Sequence, residues 1–521
     1  MNRVNIVMRV VQTKSRGLFT VLSLFLSSLV FAQSDNAYAE WIFGYASRPF
    51  DSSIICGRSV INFSRDSINS VYCTGKYDIF DLGFSNSVIS DDSGKFLYFF
   101  DGFRLANKNQ EVLDGGDSIN YGKVWDAYIG GFYVTLGSFF IPDPGDTNKC
   151  YLIHQFMDYI KHPGRPSSLS CPKLYYTLID RNYNNGLGKV LEKNQTIVEG
   201  DYIRSYLAVT RHANGRDWWI LTEEVGTAIV VKMLLTPNGF MGPYYQKIGR
   251  EGSTKIYTGS NSVFSKDGTK YLSYLSDNQI QVYDFDRCTG LLSNWINIVN
   301  EECLNNIWGS VEISTNNRFV YLSNFGKIWQ YDLESADIVK SETVVAVWDS
   351  FFYNDFFTTD YFVLRTGPDN RIYVSTTSAT PFMHFINNPN AKGLACNFVN
   401  RGVAFSEYIF GAPPVTPNFE LGSLSGSGCD TIITGSLDHK KNNELVVFPN
   451  PANNEINFQF NNLIISKEMS IYNVTGELIF KDNNINAPSR SINTSGWNSG
   501  IYYYSITSNN HQKNIGKFVI R

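Results

Sequence analysis

The sequence concentrates chemically capable side chains in one short stretch, "RHANGRDWW" at 211–219. Arg211, His212, Arg216 and Asp217 stand there beside Trp218 and Trp219. An arginine fork and an imidazole can hold a polar or anionic group while an indole face supports a ring or a cation. Arg211, His212, Trp218 and Trp219 are therefore candidate ligand contacts. The plainer reading carries more weight: a β-hairpin with a charged tip, whose aromatic pair fills a core between two sheets.

Other sets are weaker. "PDPGDTN" (142–148) offers Asp143, Asp146 and Asn148 as oxygen ligands for calcium, but a Pro/Gly/Asp turn uses the same residues for backbone reasons. Asp284 and Asp286 in "VYDFD" have a counterpart in the "QYDLE" of a later segment, and repetition points to a turn role, since a catalytic group is needed once. The histidines, His154, His162, His212, His384, His439 and His511, show no metal-ligand spacing, and none accompanies a GxSxG-like serine. Paired carboxylates for glycoside hydrolysis would have to come from separate segments. No catalytic residue, cofactor site or metal site is assigned.

The elements that must position these residues are strands. Aromatic residues make up 15% of the chain and charged ones 18%, against roughly 25% charged in an average soluble protein. Tyr, Phe, Val and Ile favour strands while Asn, Gly and Asp make turns, and no long stretch has helical apolar periodicity. The fold class expected is all-β. Net charge is −4, and no Lys/Arg block occurs outside the extreme N-terminus, which excludes the electrostatic footprint of a nucleic-acid binder.

Arg3, Arg9, Lys14 and Arg16 precede the apolar run "GLFTVLSLFLSSLVFA", and no acidic residue appears before Asp35. With small residues at Val30 and Ala32, this layout predicts a secretory signal peptide over 1–32, cut between Ala32 and Gln33. The run falls short of the roughly 20 apolar residues a spanning helix needs, and no later segment supplies them. The cysteines all follow it, in four sequential couples: Cys56 and Cys73, Cys150 and Cys171, Cys288 and Cys303, Cys396 and Cys429. An even count in an exported chain favours disulfides, and the spacing suggests pairing within each couple. Zinc is disfavoured, because no pair is a CxxC.

A repeat emerges when hairpin turns are used as markers. "SVFSKDGTKYLSYLSDNQIQVYDFDRCTG" (262–290) reads as strand, Asp-Gly turn, strand, Asp-Asn turn, strand. "SVEISTNNRFVYLSNFGKIWQYDLES" (310–335) repeats it, and "YFVLRTGPDNRIYVSTT" (361–377) and "SVISDDSGKFLYFFDG" (87–102) repeat its first half. More worn copies lie at 139–155 and 207–223. Turn centres fall near 93, 147, 214, 267, 317 and 370, about 50–54 residues apart with one step of about 67. A period near 50 with three or four strands per unit predicts propeller blades, whose small sheets protect one another's edges in a ring. Seven blades are expected, with six or eight as alternatives; the segments before 85 and after 390 could build one blade from both ends.

"EWIFG", "RHANGRDWWI", "VYDFDRCTG", "GPDNRIYVS", "NNPNAKGLACNF" and "TPNFE" occur in order between about 40 and 420, and this region resembles the propeller found in many secreted Bacteroidetes proteins. The resemblance implies a fold akin to WD-repeat and lactonase-type propellers and brings no catalytic residues with it. Asp66-Ser67-Ile68, Asp117-Ser118-Ile119 and Asp430-Thr431-Ile432 also resemble the short O-glycosylation motif of that phylum.

From 422 the texture turns Gly/Ser-rich and then polar, the composition of a flexible linker. Pro449 and Pro451 then stand in front of a last set of short strand-like segments, where proline's missing N–H bars them from a paired strand interior. "FPNPANNEI", "SIYNVTGELI", "SGWNSGIYYYSI" and the terminal "GKFVIR" follow in order. Residues 445–521 resemble the type A C-terminal sorting domain of the Bacteroidetes type IX secretion system, with Asn473 where aspartate is more usual. The matching positions are Pro449, Asn450, Pro451, Asn473, Gly476, Gly500, Tyr502, Gly516 and Lys517. The resemblance implies recognition by the secretion machinery, removal of the domain by cleavage in the linker, and release of the cargo or its attachment at the cell surface.

The expected organisation is a signal peptide at 1–32, a β-propeller at 33–428, a linker at 429–444 and a small β-sandwich sorting domain at 445–521. The expected function is that of a secreted or surface protein whose propeller binds an extracellular glycan or protein. The alternative is an exported lactonase- or glycan-degrading enzyme with its site at the central channel.

Overall fold

A computed structural model describes residues 40–44, 57–63, 67–72, 80–127 except 84 and 92, 137–161, 168–251 except 204 and 206, 261–303 except 276–278, 309–429, and 445–521 except 461–466, 486, 488 and 509–512. The expected signal peptide with Ala32 and Gln33, Cys56, Cys73, residues 430–444, and His162, His439 and His511 lie outside the described residues, as does the Cys303 side chain.

Strands are short because Asn, Asp and Gly interrupt the Tyr/Phe/Val/Ile runs every few residues. Seven antiparallel sheets follow one another in the described residues up to 409, at 40–72, 87–107, 138–202, 208–247, 261–299, 310–347 and 364–409. The first two have three strands and the other five have four. A two-stranded hairpin, Phe352–Tyr353 with Phe357–Thr358, stands between the sixth and seventh. In each sheet the strands run in sequence order, from the ring axis outward.

All six turn centres read from the sequence join the first and second strands of a sheet, from the second sheet to the seventh. The long step has a local cause. Strands Lys149–Ile160, Ser168–Asp180 and Lys189–Tyr202 of the third sheet run to 12, 13 and 14 residues, so this unit consumes more chain than the others.

Sheet faces pack on each other through separate apolar seams. One seam joins the fifth and sixth sheets around Leu272, Val282, Val311 and Leu322; another joins the sixth and seventh around Tyr321, Ile328, Leu364 and Ile372. The ring closes through a seam that contains Trp41 and Ile42 of the first sheet, Val88 and Phe99 of the second, and Tyr373, Met383 and Phe405 of the seventh. The architecture is a β-propeller. Its ends meet by packing: the described strands before residue 85 form the first sheet alone, and Phe398–Ile409 is the outer strand of the seventh. The expected blade built from both chain ends is thus replaced by two sheets that press face to face.

The first strands of neighbouring sheets lie side by side around the axis, too far apart to pair as ladders. Side chains bridge them instead. Asn261 exchanges two hydrogen bonds with the backbone of Val311 at 2.9 and 2.8 Å, Leu364 N–H donates to Ser310 Oγ, Asn86 donates to Ile42 O, and Ser87 meets Ser138. These partners are 50, 54, 44 and 51 residues apart, so the repeat period reappears as the spacing of the stitches. Each satisfies a buried polar group that would otherwise cost about 1–3 kcal/mol.

After the seventh sheet the chain crosses one end of the ring as a strap. Ala412 N–H donates to Gly83 O, Val415 and Phe419 enter the core, and Asn418 Nδ2 donates to Lys266 O at 2.6 Å. The Gly/Ser-rich piece that follows is held by backbone contacts: Arg287 donates to Gly422 O and Leu424 N–H to Ala213 O. Cys429 is bonded to Cys288, 141 residues earlier. Composition there suggested a free linker, yet residues 422–429 are seated on the ring, held through their backbone at Gly422 and Leu424 and through the Cys429 side chain.

Pairing within the sequential couples is corrected for the described cysteines, Cys56 and Cys73 lying outside them. Cys288 takes Cys429, so Cys303 is not the mate of Cys288 and Cys396 is not the mate of Cys429. Cys396 is buried beside the Tyr321 hydroxyl, and burial pushes its thiol up to about 11. Cys150 lies opposite Ile179 while Cys171 lies opposite Tyr202, several residues along the same sheet, which is beyond disulfide reach.

Residues 445–521 form a small sandwich. One sheet contains Leu445–Phe448, Glu455–Phe460 and Ser489–Asn493; the other orders Leu478–Ile485, Lys467–Tyr472, Gly500–Ser508 and Lys513–Ile520. Its core includes Ile456, Phe458, Met469, Ile471, Tyr502 and Phe518. No described helix is long and apolar enough to cross a membrane.

Candidate functional site

The stretch 211–219 is the tip of the first hairpin of the fourth sheet, between Ala208–Arg211 and Trp218–Glu223. Its side chains are turned to structural work. His212 is 8% exposed; its Nε2 donates to Cys288 O at 3.0 Å while Nδ1 accepts Asn214 N–H at 3.1 Å, and burial lowers its pKa. The Arg211 guanidinium stacks 4.3 Å over Trp218 and donates to Gly215 O, and Trp219 Nε1 donates to Arg287 O at 2.9 Å. Arg287 in turn donates to Arg211 O and His212 O. The cluster binds the fourth sheet to the fifth and to the strap, beside the Cys288–Cys429 bond.

The other carboxylates read from the sequence bond to turn amides or to neighbouring side chains. Asp143 accepts Gly145 N–H and Asp146 accepts Asn148 N–H. Asp284 pairs with Lys270 at 2.8 Å, Arg318 repeats that cross-strand pair with Asp332, and Asp286 accepts Cys288 N–H. Of the other histidines described, His154 lies between Asn120 and Thr177, and His384 accepts Arg401 N–H; burial lowers them to about 3 and about 4. Asp117-Ser118-Ile119 puts Ile119 in the core with Ser118 half-buried.

A cavity of about 140 Å³ lies at the end of the ring that the strap crosses. The first strands of the fourth to seventh sheets line it, and strap residues 415–420 form its outer wall. Val209, Val263, Ile313, Val415 and Phe419 supply apolar surface; Lys266, Pro368 and Glu420 stand at the rim. Two charged groups are buried at its floor: Glu312, 2% exposed, and Arg365, 6% exposed. Glu312 is fixed, since Oε1 accepts Ile313 N–H and Oε2 accepts Thr366 N–H, both at 3.0 Å. Burial raises the Glu312 pKa and lowers that of Arg365, and each charge opposes the other's shift.

Sequence reasoning missed this pair, although a signal was present. The residue two places before the amide that closes each first turn is Ile89, Ile141, Thr210, Val263, Glu312 and Arg365 in six successive sheets. A position that is apolar or threonine four times becomes charged twice, in adjacent units.

The sandwich uses its motif residues mainly for shape. Asn450, in the turn flanked by Pro449 and Pro451, accepts Val519 N–H through Oδ1 at 2.8 Å, and Ala452 exchanges backbone bonds with Val519 and Arg521. The opening motif is thereby tied to the end of the chain. Asn473 Oδ1 accepts the N–H groups of Thr475 and Glu477, an acceptor role that an amide fills as well as a carboxylate; Gly476 supplies the left-handed turn at φ +82°. Tyr502 stacks on Phe518 at 5.7 Å, and Tyr504 lies across Gly516, whose added Cβ would strike the ring. Lys517 is exposed, and Gly500 opens the strand that carries these tyrosines.

Residues 446–521 match the secretion system C-terminal sorting domain. Comparison with curated proteins finds no match. Among solved structures, a protein from Lactobacillus plantarum is similar at 12% identity, over 71% of this chain and 98% of that one, with a TM-score of 0.40. The periplasmic gluconolactonase of Pseudomonas aeruginosa gives 12%, 72%, 97% and 0.39 on the same measures. The β-propeller domain of Cps50 (Swd1) from Myceliophteria thermophila gives 10%, 65%, 93% and 0.34.

Proposed function

We propose that this chain is a substrate of the type IX secretion system, delivered outside the cell or to its surface, where the propeller acts as a binding module for a glycan or protein. The sorting-domain match supports export, and the signal-peptide layout of residues 1–32 supports a first step across the inner membrane. The address is a folded surface: the opening motif and the terminal strand hold each other through Asn450, Ala452, Val519 and Arg521.

The observation that carries the binding reading is the state of the cavity floor. Glu312 is the buried carboxylate of the lining, and both its oxygens already accept backbone N–H groups. Those bonds hold it in one orientation, and no histidine or second carboxylate stands with it at the floor of the described lining to share a proton transfer. The remaining side chains suit holding a molecule better than transforming one.

Deletion of 445–521 tests the route: the propeller should accumulate in the periplasm, and normal surface display of the truncated protein would reject it. Incubating the mature ring with a panel of glycans and esters tests the role. Retention without turnover is expected, and turnover would favour the enzymatic alternative.

A further inference from the structure

We infer that the cavity at the strapped end of the ring is a binding site for a small organic carboxylate seated against Arg365. The inference rests on the binding reading above and narrows it to one ligand class.

A buried guanidinium is costly unless its N–H groups are satisfied. Arg365 lines the cavity, and its Nε has no hydrogen-bond partner among the described residues. Glu312 attracts it as a charge, but its oxygens are turned to the N–H groups of Ile313 and Thr366, and no hydrogen bond joins them to the guanidinium among the described residues. The guanidinium fork at the floor therefore keeps donor capacity that no acceptor of the lining meets. A carboxylate matches that fork with two coplanar oxygens, the geometry that distinguishes arginine from lysine as an anion anchor.

The rest of the cavity sets the body of the ligand. Apolar walls from Val209, Val263, Ile313 and Phe419 favour a ring or short carbon chain. A volume of about 140 Å³ holds one small ring, since a cavity of about 150 Å³ accommodates benzene. Charge sets the limit on the head group. Glu312 shares the floor with Arg365 and would repel a second negative charge, so a monoanion is preferred to phosphate. Lys266 at the rim, shared with Glu420 at 3.8 Å, offers an approaching anion a cation on its way in.

Calorimetric titration of the full mature protein with benzoate and galacturonate, each against its neutral counterpart benzamide or galactose, and with inorganic phosphate, tests the site. At least one carboxylate should saturate a single site and bind about tenfold or more tighter than its neutral counterpart. Phosphate should bind more weakly. Arg365→Gln should lose at least that factor while Arg365→Lys keeps part of it, with thermal unfolding verifying that each variant is folded. Val263→Phe, which fills the cavity and leaves Arg365 in place, should also abolish binding. Saturation by none of the probes, equal affinity for charged and neutral partners, or undiminished binding in folded Arg365→Gln overturns the inference. Retention of a polymeric glycan or protein ligand by Arg365→Gln would leave the wider binding reading standing while this inference falls.

Discussion

Trp41 of the first sheet meets Tyr373 of the seventh edge to face, with ring centroids 5.4 Å apart. Trp41 is fully buried and also touches Phe43 and Phe63, so one indole joins the two sheets where the ring closes. Since no strand is shared across this seam in the described residues, side-chain packing holds it. Trp41→Ala should destabilise the propeller by about 3–5 kcal/mol. Thermal unfolding of the mature protein reads this, and a change below about 0.5 kcal/mol would mean that closure lies elsewhere.

The Cys288–Cys429 bond closes a loop of 141 residues and fastens the strap. Chain entropy for a loop of that length is worth about 5 kcal/mol, so Cys288→Ser with Cys429→Ser should lower the midpoint of unfolding markedly. A non-reduced digest should yield one peptide containing both residues. Cys150 and Cys396, both buried, should resist alkylation until the protein is unfolded. A digest showing Cys288 joined to Cys303 would refute this connectivity.

Glu223 lies at the seam of the fourth and fifth sheets, 7% exposed, and accepts the Tyr271 hydroxyl at 2.9 Å. Burial pushes its carboxyl from 4.5 up to about 7. The folded state thus favours the proton, and the stability it confers is complete below about 4.5 and is lost as pH rises through about 7. Glu223→Gln, neutral at every pH, should equal the parent near pH 4.5 and exceed it at pH 8 by up to ~3 kcal/mol. Asp101, raised to about 6 by burial, slopes in the same sense; His154 and His384, lowered by burial, slope in the opposite sense as pH falls below 6.5. All three remain in both proteins, so the difference in unfolding temperature between them isolates Glu223. A difference independent of pH would reject the assignment.

Gly516 is covered by the Tyr504 ring in the sorting sandwich. Gly516→Ala should destabilise this domain by about 1–3 kcal/mol through overpacking. Export of the full chain should fall with it. Adding Tyr504→Ala removes the obstructing ring and should restore part of the export, which a defect of backbone conformation at residue 516 would not allow.

The periodic parts of the fold were legible because they obey local rules. Asp267-Gly268, Asn316-Asn317 and Asp369-Asn370 mark turns by backbone chemistry, and each lies between the first two strands of its sheet. The sandwich was legible through Pro449, Gly476 and the alternation of Tyr502 with its neighbours. What escaped were relationships that depend on the ring being closed. Cys429 reaches Cys288 only after the strap has crossed the axis, and Glu312 and Arg365 become neighbours only when adjacent sheets align. The cluster around His212 shows the reverse: a group of reactive types that the fold consumes as mortar between sheets.

The same disulfide has a bearing on delivery. Cys429 is the last described residue before 430–444, the stretch in which the sorting domain would be severed. A cut anywhere there would leave a new chain end tied to the fifth sheet no more than 15 residues before the break. The strap is the outer wall of the Arg365 cavity, so shedding the address would leave the cavity roofed. Export and ligand capture would then be consecutive states of one molecule, with a single covalent bond carrying the geometry of the first into the second.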